Sequence, residues 1–230
     1  MSDASSAVNG GGLHPFVDLH AHSTASDGSR PPREVVHAAK AAGLAAIALT
    51  DHDTLAGLEE AQAAAAGLGV RVVAGVELSA VESDQETHIL GLHIAERGGL
   101  EERLVALRDM RLNRAERMVQ RLNELGFPVT MTAVLGESAG GAVGRPHVAR
   151  ALIAGGWVTD AREAFEKLIG NGRPAFVGKD RLAMAEAIEL IHRAGGLAIL
   201  AHPGGQLTRE RVAALVRDGL DGIEVLHPSH

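Results

Sequence analysis

The sequence predicts an α/β fold in which six short strands, joined mostly by helices, form a parallel sheet, either open or closed into a barrel. Three observations carry that prediction. Short apolar runs alternate with stretches of helical periodicity, the pattern of strand–helix units. The chain is 46% hydrophobic but only 2% aromatic, so Ala, Leu, Val and Ile must fill the interior, and such small layers suit helices lying closely over strands. Residues of the metal-ligand type stand directly behind most of the apolar runs, the end at which β/α sheets carry their chemistry.

Taken in order, residues 1–13 read as a flexible tail, small and polar with three consecutive glycines. Phe16–His20 reads as the first strand. A helix follows from about Pro32 to Ala42, with proline at its start and Gly43 beyond its end. Ala45–Thr50 is the second strand, Leu55–Ala66 the second helix closed by Gly67, Val70–Val76 the third strand and Thr87–Ile94 the fourth. The rhythm then changes. Leu100, Leu104, Leu107, Met118, Leu122 and Leu125 recur at helical spacing, giving a helix roughly 40 Å long. With further helices at Arg145–Ala154 and Asp160–Ile169, residues 96–178 read as a helical insertion between 14–95 and 179–230. Alternation resumes with a helix at Leu182–Ala194, a strand at Leu197–Ala201, a helix at Arg209–Asp218 and a strand at Gly222–Leu226.

At 230 residues there is enough chain for one domain with a sizeable core. The net charge of -7 argues against sequence-independent binding to duplex nucleic acid, which relies on a basic face. A small phosphorylated ligand stays compatible, because metal ions can supply the positive charge. With no cysteine, disulfides and thiolate zinc sites are impossible. No signal-like start or membrane-length apolar run is present, so the expected location is cytoplasmic. The sequence leaves the oligomeric state open.

Twelve histidines are the unusual count. His20 and His22 are two apart at a strand end, so both rings can point one way. Alone, the pair fits a surface as well as it fits an ion. Asp27-Gly28 by itself reads as a turn. Asp51-His52-Asp53 closes the second strand, with His52 a ligand candidate and its flanking acids either orienting the ring or capping a helix. Glu77 ends a valine-rich run and needs a partner if buried. His88 and His93, five apart on one strand, face opposite ways, so at most one faces an ion. His202-Pro203 and His227-Pro228 both follow apolar strands, and the prolines force sharp exits. Ligand-type residues behind five of six strands make a shared metal site the economical reading. In the insertion, Arg145 and His147 open a helix, a setting suited to an anion, although a plain proline-started helix has the same look. Arg114, Arg117 and Arg121 read as a solvated helix face.

These stretches (DLHAHSTASDG, ALTDHDT, VAGVELSA, THILGL, GRPHVAR, RPAFVGK, AGGLAILAHPG and GIEVLHPSH) resemble the polymerase-and-histidinol-phosphatase (PHP) family of phosphoesterases. The resemblance runs from about Phe16 to the last residue. It is nearest to the bacterial branch of nucleoside 3′,5′-bisphosphate phosphatases and 5′–3′ exoribonucleases. It implies a distorted seven-stranded β/α barrel with a helical insertion over the active site. It also implies metal ligands at His20, His22, Asp27, His52, Glu77, His88 and His202, with His93 structural. Arg145, His147 and His227 fall where the substrate phosphate is contacted. The family's last metal motif, an Asp-x-His after a further strand, would follow HPSH. Its absence leads to the expectation of six strands out of seven and of a truncated chain whose full activity belongs to a longer parent.

The implied chemistry is hydrolysis of a phosphate monoester by a metal-bound hydroxide, with two or three divalent ions. Mixed imidazole and carboxylate ligands fit Mn, Fe or Zn, with Mn the first expectation. The substrate would be a small phosphorylated molecule or a short RNA end. A histidinol-phosphate-type phosphatase and a non-catalytic metal-binding module are the alternatives. A third, a metal-dependent amidohydrolase, is disfavoured because no strand candidate contains the bridging lysine.

Overall fold

A strand of five residues, β1 (Val17–Ala21), opens the computed structural model, which describes residues 16–82, 85–178 and 182–227; the expected tail at 1–13 lies outside them. Then come α1 (Pro32–Ala41), β2 (Ala46–Leu49), α2 (Leu58–Ala65), β3 (Arg71–Glu82) and β4 (Gln85–Leu92). The long helix α3 (Gly98–Glu124) leads to α4 (Met131–Ser138), α5 (Arg145–Ala154) and α6 (Ala161–Ala164). The chain closes with α7 (Met184–Arg193), β5 (Leu197–Leu200), α8 (Arg209–Arg217) and β6 (Gly222–Ile223).

The strands form one curled sheet in the order β1-β2-β3-β4-β5-β6, a half-barrel with helices packed outside it. The expectation of a wholly parallel sheet is corrected at one strand: β4 is antiparallel to both β3 and β5. The cause is length. β3 does not stop at Val76 but continues to Glu82, and β4 begins at Gln85, so the link is far too short for a crossover and must be a hairpin. Pairing explains the extra length. β3 accompanies the parallel β2 only as far as Ala74↔Leu49, and then pairs with β4 down to Glu82↔Gln85. The reversal matters for chemistry. Every strand but β4 brings its C-terminal end to one rim, whereas β4 must contribute from near its beginning, where His88 sits, while His93 ends up exposed at the far end.

Alternation of side chains sorts the core. Outside the sheet, Val36, Leu58, Leu78, Ile89, Leu104 and Ile188 build the main layer between strands and helices. Inside the curl, Ala48, Val73, Leu90, Leu92 and Ala201 form a smaller cluster. A separate core, containing Met118, Leu122, Val134, Leu152 and Ile169, lies among the helices between β4 and β5. The helix α3 serves both, burying Leu100 to Leu107 against the sheet layer and Met118 to Leu122 among the helices. Its middle carries two buried arginines, Arg111 and Arg114.

Two local features depart from the sequence reading. The helix α4 was absent from it: eight residues capped by Thr130, whose side chain accepts from the Ala133 N–H at 3.1 Å, and too short to show a clear period. The helix expected over Asp160–Ile169 starts as predicted on an Asp160 cap, then widens into a π-helical turn over Phe165–Ile169. Gly170 closes that turn where a Cβ would stand 2.3 Å from the Phe165 carbonyl oxygen, a position that only glycine fits. No helix among the described residues is long and apolar enough to cross a membrane.

Candidate metal centre

The centre is built from the loops at the rim. His20 and His22 lie at the end of β1 with their Nε2 atoms only 3.0 Å apart, as the two-residue period requires. Behind them the chain folds back so that Asp27 Oδ1 reaches His22 Nδ1 at 2.9 Å. Asp51 drives that fold. Its carboxylate accepts from the Ser23 N–H, the Ser23 hydroxyl and the Ser26 hydroxyl, each at 2.7 Å, and it is 2% exposed. Gly28 completes the turn by donating its N–H to the Ser23 carbonyl at 3.0 Å. A Cβ there would meet the His22 carbonyl oxygen at 2.5 Å. Asp27-Gly28 is thus both a turn and a means of delivering a carboxylate.

Glu77 is the hub. It is 1% exposed, and five imidazoles converge on it. Its Oε2 lies 3.3 Å from His20 Nε2, 2.9 Å from His22 Nε2 and 3.3 Å from His52 Nδ1. Its Oε1 lies 2.9 Å from His88 Nδ1 and 3.1 Å from His202 Nε2. One oxygen therefore faces three rings and the other faces two. His52 is held beside Glu77 by a parallel bridge, and Asp53 donates its N–H to the Glu77 carbonyl at 3.0 Å. The structure brings together all seven residues expected as ligands: His20, His22, Asp27, His52, Glu77, His88 and His202.

Protonation follows from this crowding. Burial alone would raise the Glu77 carboxyl, but His52, His88, His20 and His202 outweigh it and hold its pKa well below the usual range. Burial pulls His22 down, yet its hydrogen bonds to Asp27 and Glu77 prevail and raise it to about 10. Burial pushes His52 well below its ordinary value, against the pull of Glu77. His22 stabilises the metal-free fold only while its ring is charged. With its folded pKa above the unfolded one, the imidazolium stabilises the metal-free fold fully below about 6.5, and that contribution is lost as pH rises through about 10. Metal must displace this proton. Metal uptake at pH 7 is therefore expected to release protons, with apparent affinity climbing with pH until about 10. Calorimetry in two buffers of different ionisation enthalpy counts the protons, and none released would contradict the assignment.

The donor set fits divalent cations. His52 Nδ1 is buried with no hydrogen-bond partner among the described residues, since Glu77 Oε2 at 3.3 Å lies outside hydrogen-bonding geometry. Ring nitrogens also face one another, His20 against His22 at 3.0 Å and His88 against His202 at 3.2 Å, and such a pair shares at most one proton. Uncompensated buried lone pairs are costly without an electrophile between them. Ligand atoms of His20, His22 and Glu77, of His22, Asp27 and His52, and of His52, Glu77 and His88 each gather within 4.8 Å. Imidazoles mixed with carboxylates suit borderline divalent ions. Among the described strands none carries a lysine, the residue an amidohydrolase-type bridge would need.

Around this cluster the remaining candidates separate. The His227 ring stands 5.2 Å from that of His20 and 5.1 Å from that of His202, at the edge of the centre. Arg145, the first residue of α5, donates to Glu86 Oε2 at 3.1 Å and to Asn171 at 2.8 Å, with its guanidinium 5.5 Å above the Phe165 ring. His147 is fully buried: its Nδ1 accepts from the Gly144 N–H at 2.9 Å and its Nε2 donates to the Ser26 carbonyl at 3.1 Å. It ties α5 to the loop carrying Asp27 instead of turning toward the cluster.

Sequence reasoning missed four contributors. Arg114 is not part of a solvated stripe. It is buried, donating to the Val177 carbonyl at 2.7 Å and to Glu86 at 3.3 Å, while Arg117 is exposed as expected. Arg111 is buried against Asp53 and donates to the Ser79 hydroxyl at 2.7 Å. Glu86, two residues before His88 on the same strand face, lies 3.3 Å from His88 Nε2. Glu224 touches His20 Nδ1 at 3.0 Å. Both acids had a signal, each being a carboxylate within three residues of a strand histidine.

The family model described as PHP domain matches residues 18–192, well over half the chain. The chain is similar to a 5′-3′ exoribonuclease of Haemophilus influenzae, 38% identical over 214 residues that cover 90% of this chain and 78% of that protein. It is also similar to a 3′,5′-nucleoside bisphosphate phosphatase of Chromobacterium violaceum, 37% identical over 221 residues, covering 93% of this chain and 78% of that one. Among solved structures, a protein assigned as a metal-dependent phosphoesterase from Bifidobacterium adolescentis superposes with a TM-score of 0.87 at 33% identity, over 95% of this chain and 79% of that one.

Proposed function

This chain belongs to the PHP domain family and is a metal-dependent phosphoric ester hydrolase, and from that premise we propose that it removes a phosphate from a nucleotide, either a nucleoside 3′,5′-bisphosphate or the 5′ end of a short RNA. The observation that carries the reading is the convergence of five imidazoles on the two oxygens of Glu77. His20, His22, Asp27, His52, Glu77, His88 and His202 would hold two or three divalent ions, Mn first among the candidates. When bound, such ions activate water and neutralise phosphate charge.

The chain's own residues do the rest. Asp51 and Gly28 hold the loop that aims Asp27. Arg145 is the first residue of α5, and its guanidinium fork would suit a phosphate. His202 or His227 would hand a proton from its ring to the departing oxygen. His147 supports the site through the Ser26 carbonyl. Residues 96–178 act as an insertion over the rim, contributing Arg145 from above the barrel segments 14–95 and 179–230. The relatives support the nucleotide reading, one being named for degrading RNA in the 5′-3′ direction and the other for dephosphorylating 3′,5′-nucleoside bisphosphates.

Phosphate release from a nucleoside 3′,5′-bisphosphate, a 5′-phosphorylated short RNA and histidinol phosphate, with Mn, Fe or Zn supplied in turn, tests this directly. Nucleotide substrates should win in kcat/KM, and a preference for histidinol phosphate would overturn the substrate. Arg145→Ala is expected to lower kcat/KM by roughly 10²–10³-fold, the usual loss for a removed charge-stabilising donor, with metal affinity unchanged. Weakened metal binding in that variant would place Arg145 in a different role.

A further inference from the structure

We propose that Glu224 is a positioning residue which dictates the ring nitrogen that His20 offers to the metals and pins the backbone that carries His202. This rests on the metal-centre reading given above, and it assigns work to a side chain outside the seven ligands.

Glu224 follows directly on β6. Its own N–H donates to the Leu200 carbonyl at 2.9 Å, continuing the β5–β6 pairing by one residue and locking the side chain's point of departure. The two carboxylate oxygens are then divided between two neighbours. Oε1 lies 3.0 Å from His20 Nδ1, and Oε2 accepts the His202 backbone N–H at 2.6 Å. Both contacts are well shielded, the side chains of His20 and Glu224 being 7% and 12% exposed.

The first contact is a tautomer decision. A carboxylate only accepts, so a hydrogen is fixed on Nδ1, and it is Nε2, facing His22 Nε2 at 3.0 Å and Glu77 at 3.3 Å, whose lone pair would be left for a metal. The second contact acts on strain. His202 has φ 27°, a left-handed conformation unfavourable for a residue with a Cβ, and the short hydrogen bond from its N–H to Glu224 helps to hold it there. One acid thereby orients ligands from both ends of the sheet, β1 and the exit of β5. Carboxylates behind metal-bound imidazoles fix ring orientation and basicity in this way, and losing one typically weakens metal binding about 10–100-fold.

Glutamine at this position is a sharp probe because it keeps the shape and reverses one polarity. If its amide oxygen keeps the His202 N–H, its NH₂ faces His20 Nδ1, which must then accept. The ring proton moves to Nε2, the atom the metals need. Calorimetric titration of the full chain with Mn should therefore show Glu224→Gln binding the same number of ions as the parent with affinity about 10–100-fold lower, while the metal-free melting temperature stays close to the parent's. Unchanged affinity would overturn the proposal. Loss of one ion per chain would also overturn it, making Glu224 a ligand together with His20 and His227, whose ligand atoms lie within 4.8 Å. A second measurement needs no variant: ring ¹⁵N shifts of the Zn-loaded parent should report His20 bound through Nε2 with Nδ1 protonated, and binding through Nδ1 would refute the assignment. A parent chain that binds no metal at all would instead remove the metal-centre reading itself.

Discussion

Glu77→Gln is expected to cost more than about 100-fold in metal affinity and to abolish measurable phosphate release, while leaving the fold intact. The bound of 100-fold is the upper figure for losing a mere outer partner of a ligand. Glu77 should exceed it, because its two oxygens face three and two imidazoles respectively. Glutamine preserves the volume of a side chain that is 1% exposed, so no cavity confuses the outcome, as it would with alanine. Beside Asp27, Glu77 is the other negative charge that keeps His22 protonated in the metal-free chain, so with glutamine there the His22 pKa should fall from about 10. Circular dichroism, a Mn binding isotherm and phosphate release together check the prediction. A Glu77→Gln variant that binds Mn and turns over normally would remove Glu77 from the centre.

Arg111→Ala should destabilise the protein by about 3–5 kcal/mol, the usual consequence of leaving one partner of a buried ion pair alone. For a chain of this length, that corresponds to a fall on the order of 10 °C in melting temperature. The pair is enclosed, with Arg111 9% and Asp53 2% exposed. Asp53 uses its other oxygen to accept the Ser79 N–H at 3.2 Å, and its carbonyl accepts from Arg108 at 3.0 Å. Its φ of 50° adds a constraint, since few residues other than Asn, Asp and Gly accept that conformation. Arg111→Met combined with Asp53→Asn should recover much of the loss, because no charge is left buried and Asn tolerates the backbone. Thermal melts of the singles and the double read this as a coupling. Purely additive losses would show that the pair does not act as a unit.

Those two residues also mark the boundary of what could be read in the sequence. The rim residues were legible because strand ends are conspicuous: His20, His52, His202 and His227 each close an apolar run, and parallel strands deliver their ends to one side. The reversal of β4 was hidden because Glu77 looked like a strand end, whereas β3 runs five residues beyond it, to Glu82, before turning. Choosing His88 over His93 took the family resemblance, although the hairpin explains it physically. Arg114 was misread, and Arg111 passed over, for a different reason. Arg111 and Arg114 sit in a helix rich in charge, and periodicity cannot distinguish a solvated guanidinium from one that grips a loop distant in sequence. The flanking acids of His52 were read as orienting its ring or capping a helix. In the structure Asp51 organises the loop before Asp27 and Asp53 holds Arg111, contacts that span 25 residues or more.

Cations shared across the two oxygens of Glu77 would be the defining feature of the centre. Anomalous X-ray scattering from crystals grown with Mn measures this most directly. At least two peaks should lie against the Glu77 carboxylate, one beside His20 and His22 and one beside His88. Peaks away from Glu77, or none at saturating Mn, would contradict it.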